Sequence, residues 1–220
     1  MDERPVEAKI AKDDVAKETQ RLDSQVAKCK VGVAWIDLLK IRNGLKFGVY
    51  NDRPENETET NKLIASFKNA GIVSMKETSV IPIILDVKRI KKNVKLSADF
   101  SDPDEVPELG LIDSNVIVVA SGQHRLSALR KYAQSLEDEL ASLEKKQTKI
   151  TGLKNLTAEH VAMHNSMRED IALTKGLLEG IGKWGVIVYD QGMCYSLILL
   201  LQDYMAADGT VASAATAVQR

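Results

Sequence analysis

Around Gly122 the chain switches from the pattern of a buried strand to that of a long helix, and this junction limits the available folds more than any other segment. Val116 to Ala120, VIVVA, is continuous and rich in β-branched residues, as expected of a strand covered on both faces. Beyond the turn, Leu126, Leu129, Ala133, Leu136, Leu140 and Leu143 recur at alternating steps of three and four residues. That spacing predicts a helix with a heptad-like seam, longer than a simple turn onto the sheet requires. A strand, a glycine and a helix without a spacer imply a sheet with a helix packed on its face.

The turn between them, Ser121 to Ser127 (SGQHRLS), carries chemistry as well as geometry. Gly122 lets the backbone bend or approach a ligand closely, and the first amides of the helix have no internal partners. Together with the helix dipole these amides favour an anion. Arg125 adds a permanently charged fork, His124 a group that exchanges a proton near neutral pH, and Gln123 and Ser127 neutral donors. Convergence of these four side chains predicts a phosphate site. On spacing alone a second reading stays open, with Arg125 paired to a carboxylate and His124 acting as a cap.

The remaining segments place this unit in a larger alternation. Val31 to Leu39 reads as a strand, followed by the Asn43-Gly44 turn and the loop FGVYNDRPENE. Glu59 to Ala70 reads as a helix capped by Thr58, with Leu63, Ile64 and Phe67 on one face and Gly71 at the left-handed C-terminal position. VIPIILDV is a further buried strand, with Pro82 tolerated near its start or on an edge. After the Thr151-Gly152 break, a second long helix begins near Thr157, with Leu156 and Val161 placed for a hydrophobic staple. Its buried face is expected at Met163, Met167, Ile171, Thr174, Leu178 and Ile181. Two long helices joined by a short turn make an antiparallel hairpin, after which KWGVIVYD returns to strand character. MCYSLILLLQDYMAAD reads as a helix.

Composition sets the outer limits. With 44% hydrophobic and 28% charged residues the chain is apolar enough to fold. Its 30 basic and 31 acidic residues leave a formal net charge of -1 and no global field toward nucleic acid or membrane. The basic run KRIKKNVK at 88–95 and the acidic stretch at 99–113 cancel in charge and read as a solvated loop. Cys29 and Cys194 lack metal or CxxC spacing, which fits a reducing compartment and idle thiols. The charged amino terminus has no signal-peptide core, and the longest apolar run falls far short of the roughly 20 residues that span a bilayer. An intracellular protein without a membrane partner is expected, nuclear or cytoplasmic.

Other constellations weigh less. His160 and His164 have the i, i+4 spacing of metal ligands but no accompanying Glu or Cys, so a structural role is preferred and no protein metal site is expected. Asp86 and Asp190 end strands, where acids form turns as often as they reach a magnesium ion. Trp35 and Trp184 read as core aromatics.

Several of these features together resemble the ParB/sulfiredoxin superfamily. They are the GxHR turn after a buried strand, the upstream Asn51-Asp52-Arg53-Pro54 loop, the Leu63 to Phe67 helix, Gly71-Ile72 and Ile81-Pro82-Ile83-Ile84. The likeness spans roughly residues 31–132 and resumes near 184–190, and GQHRLSAL is most similar to the DGQHR group, which includes proteins tied to DNA modification and restriction. Members bind nucleotides such as ATP or CTP through this turn and helix start, some hydrolyse them, and some have been described as nucleases. The resemblance implies that Gly122, Gln123, His124 and Arg125 form a phosphate site with Arg53 as a second contributor. Gln123 stands where sulfiredoxins carry the catalytic cysteine, so sulfinic acid reduction is not expected. The GERR turn and the later Asn-x-x-Arg element of the partition CTPases are missing, and Ser121 replaces the Asp of DGQHR.

The resulting expectation is an α/β (α+β) fold, a small mixed sheet of ParB/sulfiredoxin type with an inserted antiparallel helical hairpin at 131–182. The domain covers 31–206, between a helical extension at 1–30 and a linker-like tail at 207–220. The leading function is binding of a nucleoside triphosphate, ATP or CTP with Mg2+, in a DNA-related process. Arg53, Gly122, Gln123, His124, Arg125 and Ser127 would form the site, with His124 as the catalytic group if hydrolysis occurs. The alternatives are an inactive protein-interaction module contacting a partner through the hairpin, and a DNA-processing nuclease using KRIKKNVK.

Overall fold

The structure, a computed structural model, describes residues 20–21, 24–41, 44–47, 54–113 and 115–194. The elements in chain order are β1 (Lys30–Asp37), β2 (Leu45–Lys46), α1 (Glu57–Ala70), β3 (Ile81–Leu85), β4 (Ile117–Val119), α2 (Gln123–Thr151), α3 (Ala158–Gly180) and β5 (Lys183–Asp190). The strands form one five-stranded mixed sheet in the order β1-β5-β3-β4-β2. β5 pairs antiparallel with β1 and parallel with β3, while β4 pairs antiparallel with β3 and parallel with β2. The mixed α/β class expected from the alternating periods is the one observed.

The core lies between this sheet and helices α1 and α2. In β5, Trp184, Val186 and Val188 are buried, and the pleat turns them to one side of the sheet together. Trp184 meets Phe67 of α1 in an edge-on contact with ring centroids 6.1 Å apart, and Phe67 meets Tyr132 of α2 at the same separation. The indole N–H donates to the Ser79 carbonyl oxygen at 2.9 Å, so the ring is buried without an orphaned donor. On the opposite side of the sheet, a Cβ added at Gly185 would lie 2.8 Å from the Phe100 ring and 2.9 Å from Val80. Phe100 belongs to the excursion between β3 and β4, which covers that side and then the outer edge of β1. Val33 and Ser97 exchange main-chain hydrogen bonds of 2.8 and 3.1 Å, and Trp35 bonds to Pro107 and Leu109. An otherwise open edge is thereby paired.

The first half of α2 packs on the sheet and its second half carries α3. Leu126, Leu129, Ala133 and Leu136 are buried as the heptad-like seam predicts, whereas Leu140 and Leu143 are half-buried in the projecting part of the hairpin. Ile171 and Thr174 of α3 are buried, and Lys175 pairs with Glu144 across the two helices at 2.8 Å.

Several expectations need correction. α1 begins at Glu57, two residues early, because the Asn56 side-chain oxygen accepts from the N–H groups of Thr58 and Glu59 and displaces Thr58 as the cap. Gly71 does adopt a positive φ of 76°, with its N–H on the Phe67 carbonyl. Pro82 sits on the interior strand β3, but at its second residue, where one missing ladder donor matters least. Leu156 and Val161 are exposed and form no buried staple. The start of α3 is held instead by a capping box between Thr157 and His160, whose side chain accepts from the Thr157 N–H. Met163 is exposed, since the buried stripe of α3 starts only where it faces α2. Trp35 is half-buried, with the Lys183 ammonium 5.0 Å from its ring centroid. In the excursion, Arg89 grips Asp113 at 2.7 Å and the carbonyls of Asn115 and Val116, so one charge of the basic run is neutralised by direct contact. The segment 195–220, including most of the expected C-terminal helix, lies outside the described residues, as do residues 1–19.

Two glycines should behave oppositely. Gly185→Val overpacks the contact with Phe100 and should cost about 2 kcal/mol or more in urea unfolding. Gly176→Ala, in open space on α3, should add about 0.5–1 kcal/mol. The Arg89 contact also predicts a pH dependence, because Arg89 and the Asn115 N–H hold the Asp113 carboxyl below its ordinary range. A lowered folded pKa stabilises above the unfolded value of about 3.9 and loses that contribution as pH falls below it. The melting temperatures of wild type and Asp113→Asn should therefore differ at neutral pH and converge on acidification.

Candidate functional site

The strand-to-helix junction takes the form its sequence predicts. β4 ends at Val119, and Gly122 caps α2 in the left-handed region at φ 105°, ψ 14°. A Cβ at Gly122 would also come within 3.0 Å of the Ile81 side chain on β3. Both its conformation and its close approach to the sheet therefore require glycine. The cap supplies no side-chain hydrogen bond to α2, and no acidic residue occupies the first turn. The first-turn N–H groups of α2 thus lack the satisfaction that Asn56 gives α1.

Successive residues on a helix point about 100° apart, and the side chains of the motif separate accordingly rather than converging. His124, Ser127 and Lys131 share one face of α2 and meet the residues leading into α1. His124 Nε2 accepts the Asn56 N–H at 2.9 Å, Ser127 donates a short hydrogen bond to the Glu55 carboxylate, and Lys131 lies 4.0 Å from the same carboxylate. With Nε2 acting as acceptor, a neutral His124 ring carries its proton on Nδ1. Arg125 turns the other way. Its guanidinium donates to the carbonyl oxygens of Thr78 and Val80, each at 3.1 Å, and holds the chain that leads into β3. This fork is half-buried, and desolvation pushes its pKa down. Gln123 is half-exposed at the first position of the helix.

Between the two helix starts lies a cleft of about 630 Å3 lined by Pro54 to Glu59 and His124. The sequence reading missed this wall, although the Asn-Glu-Thr-Glu run at 56–59 after Pro54 has the composition of a capped, acid-rich first turn. Arg53, the other expected phosphate contact, lies outside the described residues, one position before the cleft's Pro54.

The remaining acids and histidines have protein partners or none of the geometry of a metal site. Asp86 caps the short turn at Val87–Arg89 through the Lys88 N–H, and Asp190 accepts from the Gly192 N–H. His160 is engaged in its capping box. Among the described residues no group of three or more His, Cys, Asp or Glu side chains could hold a metal ion, and no helix is long and apolar enough to cross a membrane.

Comparison of the chain with protein-family models, with curated proteins and with solved structures found no match.

Arg125 should prove important to stability, whatever it contributes to binding. Arg125→Ala frees one partly buried and one exposed carbonyl acceptor and should cost about 1–2 kcal/mol in chemical denaturation. Arg125→Lys, with one point charge in place of a fork, should recover less than half of that loss.

Proposed function

We propose that the chain is a nucleotide-binding domain of ParB/sulfiredoxin type that takes the phosphates of a nucleoside triphosphate, ATP or CTP, at the start of α2. One observation carries this reading: α2 opens on a left-handed glycine with no side-chain cap and no first-turn acid, beside a cleft of ligand size. Uncapped N–H groups at the positive end of a helix dipole are an anion site. The residues fit a phosphate group there, because Gly122 permits close approach and Gln123 can add a neutral donor. Main-chain amides, more than the Arg125 fork, then become the principal donors, with Arg125 adding its fixed charge from behind the turn.

The facing wall carries the carboxylates of Glu55, Glu57 and Glu59. An anionic triphosphate approaching them needs a counter-charge, which fits the expectation that Mg2+ accompanies it. Bound there, Mg2+ would neutralise phosphate charge. Within this chain His124 bridges the two walls, joined to α1 through Nε2, and its Nδ1 is the nitrogen left to donate or exchange a proton. Whether the domain goes on to hydrolyse its nucleotide in a DNA-related process rests on that group.

A second reading, a protein-interaction module acting through the hairpin, draws on one feature. α3 leaves Met163, Leu173 and Leu177 exposed.

Calorimetric titration with ATP, CTP and GTP in Mg2+ separates the readings, and absence of binding by all three sinks the nucleotide proposal. Gln123→Glu tests the site itself. A carboxylate at the first helical position suits the helix dipole and should leave stability unchanged or slightly raised. It repels phosphate, and nucleotide affinity should fall more than tenfold, on the order of the 1.5–3 kcal/mol of a charge-assisted bond.

A further inference from the structure

Cys29 and Cys194 stand about 165 positions apart in sequence, and the β1–β5 ladder removes that separation. Lys30 at the start of β1 is the register partner of Tyr189 near the end of β5. Cys29 therefore sits across from the strand end at Asp190. Residues 191–194 are helical, and a single turn returns the chain so that Cys194 comes back over the end of the ladder. Cys29 is buried, with its thiol 3.6 Å from the Gln25 carbonyl, and Cys194 is half-buried.

We propose that Cys29 and Cys194 form a closable dithiol, which a peroxide converts into an intramolecular disulfide joining the residue before β1 to the turn after β5. The Lys30–Tyr189 register and the helical turn after Asp190 bring both thiols to the same end of the ladder. Burial first, and then the neighbouring Cys29, push the Cys194 thiol up to about 12. Tyr189, its phenol raised by burial, and Asp190 are the titratable groups facing the pair, and a negative charge on either disfavours the thiolate. The pair consequently stays reduced against weak oxidants at neutral pH and reacts faster as pH rises.

The chemistry balances with one peroxide. The more accessible Cys194 thiolate attacks a peroxide oxygen, the O–O bond breaks, and the departing hydroxide takes the thiol's proton to give water. The Cys194 sulfenic acid is then attacked by the Cys29 sulfur. The S–O bond breaks, and the leaving hydroxide takes the Cys29 proton as a second water. Two thiols lose two electrons, and hydrogen peroxide gains them.

The full chain is treated with hydrogen peroxide at mildly alkaline pH, then alkylated and analysed by intact-mass and peptide-mass spectrometry. The expected outcome is loss of two hydrogens from the monomer and a linked peptide pair containing Cys29 and Cys194. Dithiothreitol should reverse both. Because the bond closes so long a loop, the melting temperature of the oxidised form should rise on the order of 5 °C or more. In Cys29→Ser, Cys194 should stop at sulfenic or sulfinic acid and the rise should vanish, and Cys194→Ser should show neither the link nor the rise. Two alkylatable thiols after oxidation, separate overoxidation in the wild type, or a link between two chains would overturn the proposal.

Discussion

The contact between Trp184 and Phe67 is the one on which the rest of the structure depends. Trp184 opens β5, the strand that lies between β1 and β3, and β5 arrives last of the described strands. Until it docks, β1 has no ladder partner within the sheet, and Phe67 of α1 has only Tyr132 of α2 as an aromatic neighbour. Burial of the indole, with its N–H already paired to Ser79, therefore ties together the sheet, both covering helices and the chain leading into β3. The hairpin of α2 and α3 is the covalent route by which this late strand returns. It projects from the domain because only the first part of α2 is needed to cover the sheet.

The same packing sets the chemistry at the start of α2. Gly122 must lie against Ile81, so the helix begins close to the sheet with its first amides uncapped. Helical rotation then sends His124 and Ser127 toward α1 and Arg125 toward the carbonyls before β3. Three of the side chains that read as phosphate ligands thus serve as struts, and under the proposed function the main-chain amides would be the principal donors. In such a site binding would be coupled to stability, because the side chains position the amides that the proposed ligand would meet.

Much of this was legible in the sequence wherever local periodicity decides structure. The buried strands at 81–85 and 117–119, the seam of α2, the Thr157 cap and the glycine turn all follow from spacing, branching and capping preferences that act over a few residues. Errors arose where two local signals competed. Asn56 and Thr58 are both good caps, and Asn56 takes the position through its side chain on the Thr58 and Glu59 N–H groups, with its own N–H held by His124 from α2. Met163 fits the apolar stripe of α3 and Val161 a hydrophobic staple, yet both are exposed.

The sequence by itself determined the succession of elements, the need for glycine at 122, and the class of fold, because each depends on backbone sterics and on apolar periodicity within a segment. Only the tertiary structure decided which strands became neighbours, which way the Arg125 fork turned, and that the start of β1 after Cys29 lies beside the end of β5. These depend on long-range packing: the order β1-β5-β3-β4-β2 brings together residues that no local pattern connects.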